Sequence, residues 1–318
     1  MTAVHLQGEI GPDLGGLRLD QALARLFPDY SRARLQQWIR EGAVQVDGRP
    51  CKPRDRVHGG EQVAVRARLE DVPDVHPEPI DLHVVHADKD LIVIDKPAGL
   101  VVHPAAGNWA GTLQNALLHR FPELAAMPRA GIVHRLDKDT SGLLVVARTL
   151  QAHKSLVDQL QARSLRRHYF AVVQGVLTAG GCVEASIARH PVDRKRMAVV
   201  AGGKPAVTHY RVLQRYRAHT LVRASLETGR THQIRVHMAH IRHPLVGDAV
   251  YGGRLRLPPG ASDALVAQLR GLRRQALHAE RLGLVHPRSG EAVDWHSPLP
   301  VDLQQLLDAL AQDAGNGG

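Results

Sequence analysis

Aromatic residues make up only 3% of this 318-residue chain, and it holds just two cysteines. The scarcity of rings argues against a protein that grips single strands along rows of stacking side chains, while leaving room for one or two placed aromatics. Cys51 and Cys182 stand far apart, so neither a disulfide framework nor a cysteine-rich zinc site is implied, and a reducing cytosol fits. No signal peptide and no run of roughly 18 apolar residues is present, so secretion and membrane insertion are not expected. Acidic charge is also in short supply. The chain has 41 Lys and Arg against 31 Asp and Glu, a formal net charge of +10 and a pI near 10.1. That excess points to a polyanionic partner, most simply nucleic acid.

The length allows one large domain beside a small one. After a poorly patterned N-terminus, Leu19, Ala22, Leu23 and Leu26 share one face of a helix that stops near Pro28. Ser31 suits the N-cap of a second helix carrying Leu35, Trp38 and Ile39, with Gly42 placed to end it. Val44 and Val46 then alternate with polar residues up to the hairpin signal Asp47-Gly48, and a later strand spans residues 62–67. Between Leu14 and Arg68, eleven basic residues face six acidic ones, half of the whole excess. With its Arg18-Leu19-Asp20 opening and Val44-x-Val46-Asp47-Gly48 hairpin, this module resembles the S4 RNA-binding domain. The resemblance implies recognition of folded RNA by shape and phosphate contacts, with Arg32, Arg34, Arg49 and Lys52 as candidate RNA-binding residues.

The expected division is an S4-like domain over 14–70, a proline-rich acidic linker over 71–79, a larger domain over 80–311 and a frayed tail over 312–318. Strands are expected around Leu91-Ile92-Val93-Ile94, Leu143-Leu144-Val145-Val146 and residues 167–173, and helices around 111–119 and 152–165.

The densest chemistry lies in Gly131–Arg148, GIVHRLDKDTSGLLVVAR, where five ionisable side chains crowd positions 134–139 between two apolar segments. A polar loop held against a core is the usual setting for catalytic side chains. Thr140-Ser141-Gly142 lacks the first glycine of a nucleophile elbow, and no glycine-rich phosphate loop is present. Asp137 and Asp139 look like the paired aspartates of metal-assisted phosphotransfer, but Arg135 and Lys138 already bring the charge a magnesium ion would supply. His237, His240 and His243, spaced by three, read as RNA contacts or core hydrogen-bonders, since no cysteine partner or His-Glu-x-x-His pattern accompanies them.

Three stretches stand together: His134-Arg135-Leu136-Asp137-Lys138-Asp139-Thr140-Ser141-Gly142, Gly229-Arg230-Thr231-His232-Gln233-Ile234-Arg235, and Leu277-His278-Ala279. With Asp95-Lys96-Pro97-x-Gly99 they resemble the RluA family of pseudouridine synthases over the whole chain. The resemblance implies an α+β catalytic domain built on a mixed, largely antiparallel sheet, and a cofactor-free, metal-free isomerisation of uridine in large-subunit ribosomal RNA. It implies Asp137 as the catalytic carboxylate, Arg235 as its cationic partner and Tyr169 as the ring packing on the flipped base. Arg135 would fill the space that the base vacates, and Leu282 would line the pocket beside the uracil. The family more often has lysine where Arg167 stands. Asp139, Thr140 and Ser141 are expected to shape the loop. The enzyme is expected to act in the cytoplasm as a monomer with ribosomal RNA as partner and no membrane. The competing reading is a non-catalytic ribosomal RNA-binding factor on the same fold.

Overall fold

The computed structural model describes residues 2–30, 32–69, 75–104 and 107–315. The chain divides into two compact units, Met1–Asp74 and Val75–Gly318.

In the first unit, strand β1 (Thr2–Glu9) leads to helices α1 (Leu19–Leu26) and α2 (Arg32–Arg40), then to strands β2 (Val44–Val46), β3 (Arg49–Pro50) and β4 (Gln62–Leu69). The four strands form an antiparallel sheet in the order β1-β4-β2-β3. Asp47 and Gly48 both take positive φ (48° and 72°), the geometry of a two-residue hairpin turn that matches strand twist. Gly42 (φ 75°) ends α2 as its position predicts. Ser31 lies outside the described residues. Leu19, Leu23, Leu35, Trp38 and Ile39 pack with Val44, Val63 and Val65 in one core. The N-terminus departs from expectation: β1 pairs with β4 along its whole length, Val4 enters the core and Ile10 follows it. Its period-2 alternation is diluted by Gly8 and by polar residues, so only the partner strand makes it legible.

The second unit runs β5 (His83–Ala87), β6 (Leu91–Lys96), α3 (Leu113–Arg120), β7 (Ser141–Ala147), α4 (Leu150–Gln161), β8 (Arg166–Gln174), β9 (Gly181–Glu184), β10 (Ile187–Arg189), β11 (Met197–Val199), β12 (Val207–Arg215), β13 (His219–Leu226), α5 (Gln233–His240), α6 (Asp263–Gly271), β14 (Leu277–Val285), β15 (Ala292–His296) and α7 (Val301–Gly315). A nine-stranded sheet orders as β5-β6-β7-β14-β8-β13-β12-β9, with β15 also paired to β14. Among the described residues its pairings are antiparallel except β7 with β14. Strands β6 and β7 are buried on both faces, which is why they read as unbroken apolar runs rather than alternating ones.

Two expected boundaries shift. Residues 71–74 lie outside the described residues, but the rest of the expected linker is tied down. The Glu78 carboxylate accepts from Gly111 N–H at 3.0 Å, and Asn115 Nδ2 donates to His76 O at 2.7 Å. The tail also begins later, because α7 continues to Gly315. Its Asp313, 5% exposed, is bound by Arg217 at 2.8 Å and by Ser262 N–H at 2.7 Å. Polar composition alone hid these anchors.

At the start of β7, Gly142 has φ 111° and faces Ala279 across the parallel pairing. A Cβ there would lie 2.3 Å from Ala279 O. Gly142→Ala is therefore expected to cost about 2–4 kcal/mol through backbone strain and overpacking, read as a lowered urea midpoint.

Candidate active site

Asp137 ends the polar loop of residues 132–140 one turn before β7, with its own carbonyl accepting Thr140 N–H at 3.1 Å. Buried cations hold this loop from beneath. Lys96, fully buried, donates from Nζ to the carbonyls of Pro97 (2.7 Å), Leu100 (2.9 Å) and Lys138 (2.9 Å). Three acceptors match the three N–H groups of an ammonium. Burial pushes Lys96 down to about 7, against the pull of Asp139 and Asp137. Arg274 reaches Asp139 O at 3.3 Å while paired with Asp302, and Gln275 Nε2 donates to Thr140 Oγ1 at 3.0 Å. Ser141 Oγ meets His278 Nδ1 at 3.0 Å, tying the loop's Thr-Ser-Gly end to the Leu-His-Ala strand.

Helix α5 carries Arg235 to the carboxylate, with Nη1 3.0 Å from Asp137 Oδ2. The opposite edge of the guanidinium is gripped by Asp248, Nε to Oδ2 at 2.7 Å and Nη2 to Oδ1 at 2.9 Å. Burial opposes charge on Arg235, yet Asp248 and then Asp137 hold its pKa above the ordinary range. Burial would likewise raise Asp248, but its hydrogen bonds from Arg235 keep it low. Tyr251 lies beneath the arginine, its ring centroid 5.0 Å from the guanidinium carbon. Its hydroxyl accepts from Met197 N–H at 2.9 Å and meets His232 Nδ1 at 2.8 Å. His232, with φ 58° at the N-cap of α5, places Nε2 3.9 Å from Asp137 Oδ1. No motif in the sequence marks Asp248 or Tyr251, and His232 carries no assigned role within its motif. Asp248 sits in a Gly-Asp corner that reads locally as a helix stop.

A cleft of about 610 Å³ opens over Asp137, lined among others by Tyr169 and by Arg129, Arg135, Arg163, Arg167 and Arg230. Tyr169 is 5% exposed, and burial raises its phenol against the pull of Arg167. Arg135 projects into solvent at the rim. Leu282 is 1% exposed, in the same core as Tyr169, and pairs with Arg167 across β8, so it lies on the sheet face that Arg167 and Tyr169 share, while Leu277 and Leu226 line the floor beside Asp137.

Of the spaced histidines, His237 bonds Thr208 Oγ1 and Ala185 O, both at 2.9 Å, and His243 bonds Gln174 O at 2.8 Å. Asp88, Asp90 and His286 approach within 4.8 Å of one another. Their carboxylate oxygens already accept hydrogen bonds, Asp90 from Arg288 and Asp88 from the N–H groups of Asp90 and Leu91, and His86 and His286 also meet Asp88.

In the small unit, Asp20, 0% exposed, accepts from Arg18 at 3.0 Å, from Arg32 at 2.7 Å and from Gln36. Arg32 thus ties α1 to α2 through one edge of its guanidinium, while Arg49 and Lys52 stand exposed around the hairpin and Arg34 is half-buried.

His134 is neutral. Its Nε2 accepts from Val145 N–H at 3.1 Å, Nδ1 is closed off from solvent, and burial pushes it down to about 3. The unfolded chain, titrating near 6.5, binds a proton in that window that the native state refuses, so stability present at neutral pH is lost as pH falls. His134→Gln keeps an acceptor for Val145. It is expected to flatten that acid slope by about 1.4 kcal/mol per pH unit, measured as urea midpoints between about pH 6 and 4.

Comparison with known proteins agrees with this geometry. Residues 90–240 match the family described as RNA pseudouridylate synthase, and residues 17–63 match the S4 domain. "Ribosomal large subunit pseudouridine synthase D" of Pseudomonas aeruginosa is 59% identical over 310 residues, covering 98% of this chain and 97% of that protein. The protein of the same description in Escherichia coli is 55% identical over 311 residues, covering 98% and 95%. Among solved structures, "Human RNA Pseudouridylate Synthase Domain Containing 4" superposes with a TM-score of 0.55 at 26% identity, covering 72% of this chain and 93% of that one. A carboxylate held by a buried arginine in a basic cleft, in a chain that shares more than half its residues with pseudouridine synthases along nearly its full length, leads to one conclusion: the chain belongs to the RNA pseudouridylate synthase family.

Proposed function

We propose that this enzyme isomerises specific uridines to pseudouridine in large-subunit ribosomal RNA, with Asp137 as the catalytic carboxylate. The observation that carries the reading is the 3.0 Å pair between Asp137 and an arginine that Asp248 holds from behind, at the floor of a cleft ringed with cations. The ribosomal substrate is supported by the names of relatives 55–59% identical over nearly the whole chain. A ribosomal RNA substrate supports action in the cytoplasm. No described helix is long and apolar enough to cross a membrane. The enzyme acts as a monomer.

Reaching a base in folded RNA requires taking it out of the stack, at about a few kcal/mol. The rim arginine Arg135 has a planar guanidinium that can stand in for the displaced base. Tyr169 supplies a ring against which the flipped uracil packs. Arg235 meets Asp137 at 3.0 Å where water is partly excluded, so the carboxylate has its counter-charge without a metal. The C1′–N1 bond then breaks, the base turns, and C1′ rejoins at C5. Arg34, Arg49 and Lys52, with the free edge of Arg32, meet phosphates in the small unit. A non-catalytic assembly factor would have no use for a buried arginine poised on a cleft carboxylate.

Asp137→Asn is expected to lower pseudouridine formation in large-subunit RNA at least about 1,000-fold with RNA affinity unchanged; retained activity would overturn the assigned chemistry. Arg49→Ala with Lys52→Ala is expected to weaken RNA binding and to reduce the slope of log K against log salt by about 0.7–0.9 per lost phosphate contact, measured by filter binding over a salt series.

A further inference from the structure

Among the cleft cations Arg167 stands apart. Arg163 is paired with Glu227 at 2.8 Å, Arg230 donates to Pro205 O at 3.1 Å, and Arg235 has two aspartates. Arg167 is 6% exposed, and among the described residues its solvent-excluded Nε has no hydrogen-bond partner. Among the described residues no carboxylate pairs with it. Burial disfavours its charge, and only the Tyr169 phenol pulls the other way.

Its surroundings are well defined. Arg167 and Tyr169 are both inward-facing on β8, two residues apart and therefore on one face of the sheet about 7 Å apart. The guanidinium lies against the turn that opens the Gly229-Arg230-Thr231 segment, where a Cβ on Gly229 would come within 2.8 Å of Nη1. It is also near enough to His134 to disfavour that ring's protonation. A desolvated cation among a phenol, a neutral imidazole and a backbone turn is unfavourable in the free protein. Such a group persists where a ligand supplies the missing charge.

Two anions could do so: an RNA phosphate or the base itself. Phosphates stay near the surface, where Arg129, Arg135 and Arg163 are exposed, whereas Arg167 lies deeper, beside the tyrosine assigned to the base. Heterolysis of C1′–N1 leaves the bonding electron pair on the uracil, whose single negative charge spreads over N1, O2 and O4. In displacement an Asp137 oxygen supplies the new pair to C1′; in elimination Asp137 takes the C2′ proton. Either way the base stays anionic until C5 bonds to C1′ and later releases its proton.

We infer that Arg167 binds the uracil and stabilises the negative charge it acquires as C1′–N1 breaks, an assignment that rests on the pseudouridine reading above. The guanidinium is then a preorganised donor whose counter-charge exists only during the reaction, so its strain in the free enzyme is recovered in the transition state.

The test compares Arg167→Met and Arg167→Lys with the unsubstituted enzyme on a large-subunit RNA fragment, by single-turnover rate, RNA Kd over a salt series, and thermal melting. Arg167→Met is expected to lower the rate constant about 100- to 1,000-fold while Kd and its salt slope hold. Its Tm should equal or exceed that of the unsubstituted enzyme, because an apolar side chain replaces an uncompensated charge. Arg167→Lys keeps the charge and should retain most of the rate. An unchanged rate in Arg167→Met overturns the inference. So does a weakened Kd with a salt slope reduced by about 0.7, the mark of a phosphate contact. A fallen Tm overturns its premise. If the unsubstituted enzyme forms no pseudouridine, the functional reading fails instead, and the Tm comparison still decides whether Arg167 lacks a partner in the fold.

Discussion

An ionised carboxylate cannot sit in a half-dry cleft without a counter-charge, and the counter-charge must itself be held. That constraint organises the catalytic unit. Asp137 depends on Arg235, Arg235 depends on Asp248, and Asp248 is fixed by the N–H groups of Val250 and Tyr251 at 2.9 and 3.0 Å. The two aspartates grip different edges of one planar guanidinium, so the arginine can neither rotate away nor lose its charge. A lysine, a point charge on a flexible stem, would not reproduce this geometry.

The loop that presents Asp137 follows the same economy. Lys96, Arg274 and Gln275 hold its backbone and Thr140 from the side opposite the cleft, while Gly142 lets it enter the sheet against β14. Lys96 comes from the end of β6, and Arg274 and Gln275 from the segment that leads into β14. Rigidity beneath the loop leaves the open side for RNA, where five arginines line the wall. A flexible polyanion is drawn in by charge, and Tyr169 brings a ring to the cleft wall.

Local patterns revealed much of this. Helices α1 and α2, the Asp47-Gly48 hairpin and the doubly buried β6 and β7 are visible because periodicity and turn chemistry are local properties. Dense polar strings drew attention to the stretches that hold Asp137 and Arg235, and the resemblance of those stretches to the family's motifs singled out the two residues. Strand β1 could not, since its short alternation becomes a strand only by pairing with β4. Nor could the anchoring of residues 75–79 and 312–315, whose partners Asn115, Arg217 and Ser262 are remote in sequence.

The sequence by itself determined the two-unit organisation, the basic character and the residue types that do chemistry, because these follow from composition, periodicity and motif spacing. Tertiary structure alone decided which groups meet. It set Leu277 and Leu282 on one face of the sheet, though five residues separate them on one strand, because a β-bulge between Ala279 and Arg281 shifts the register. It committed an edge of Arg32 to the buried Asp20, brought Asp248, Tyr251 and His232 up to the Asp137–Arg235 pair, and buried Arg167 with no counter-ion among the described residues. Burial, and with it the cost of charge, is a property of the assembled surface and not of any segment read alone.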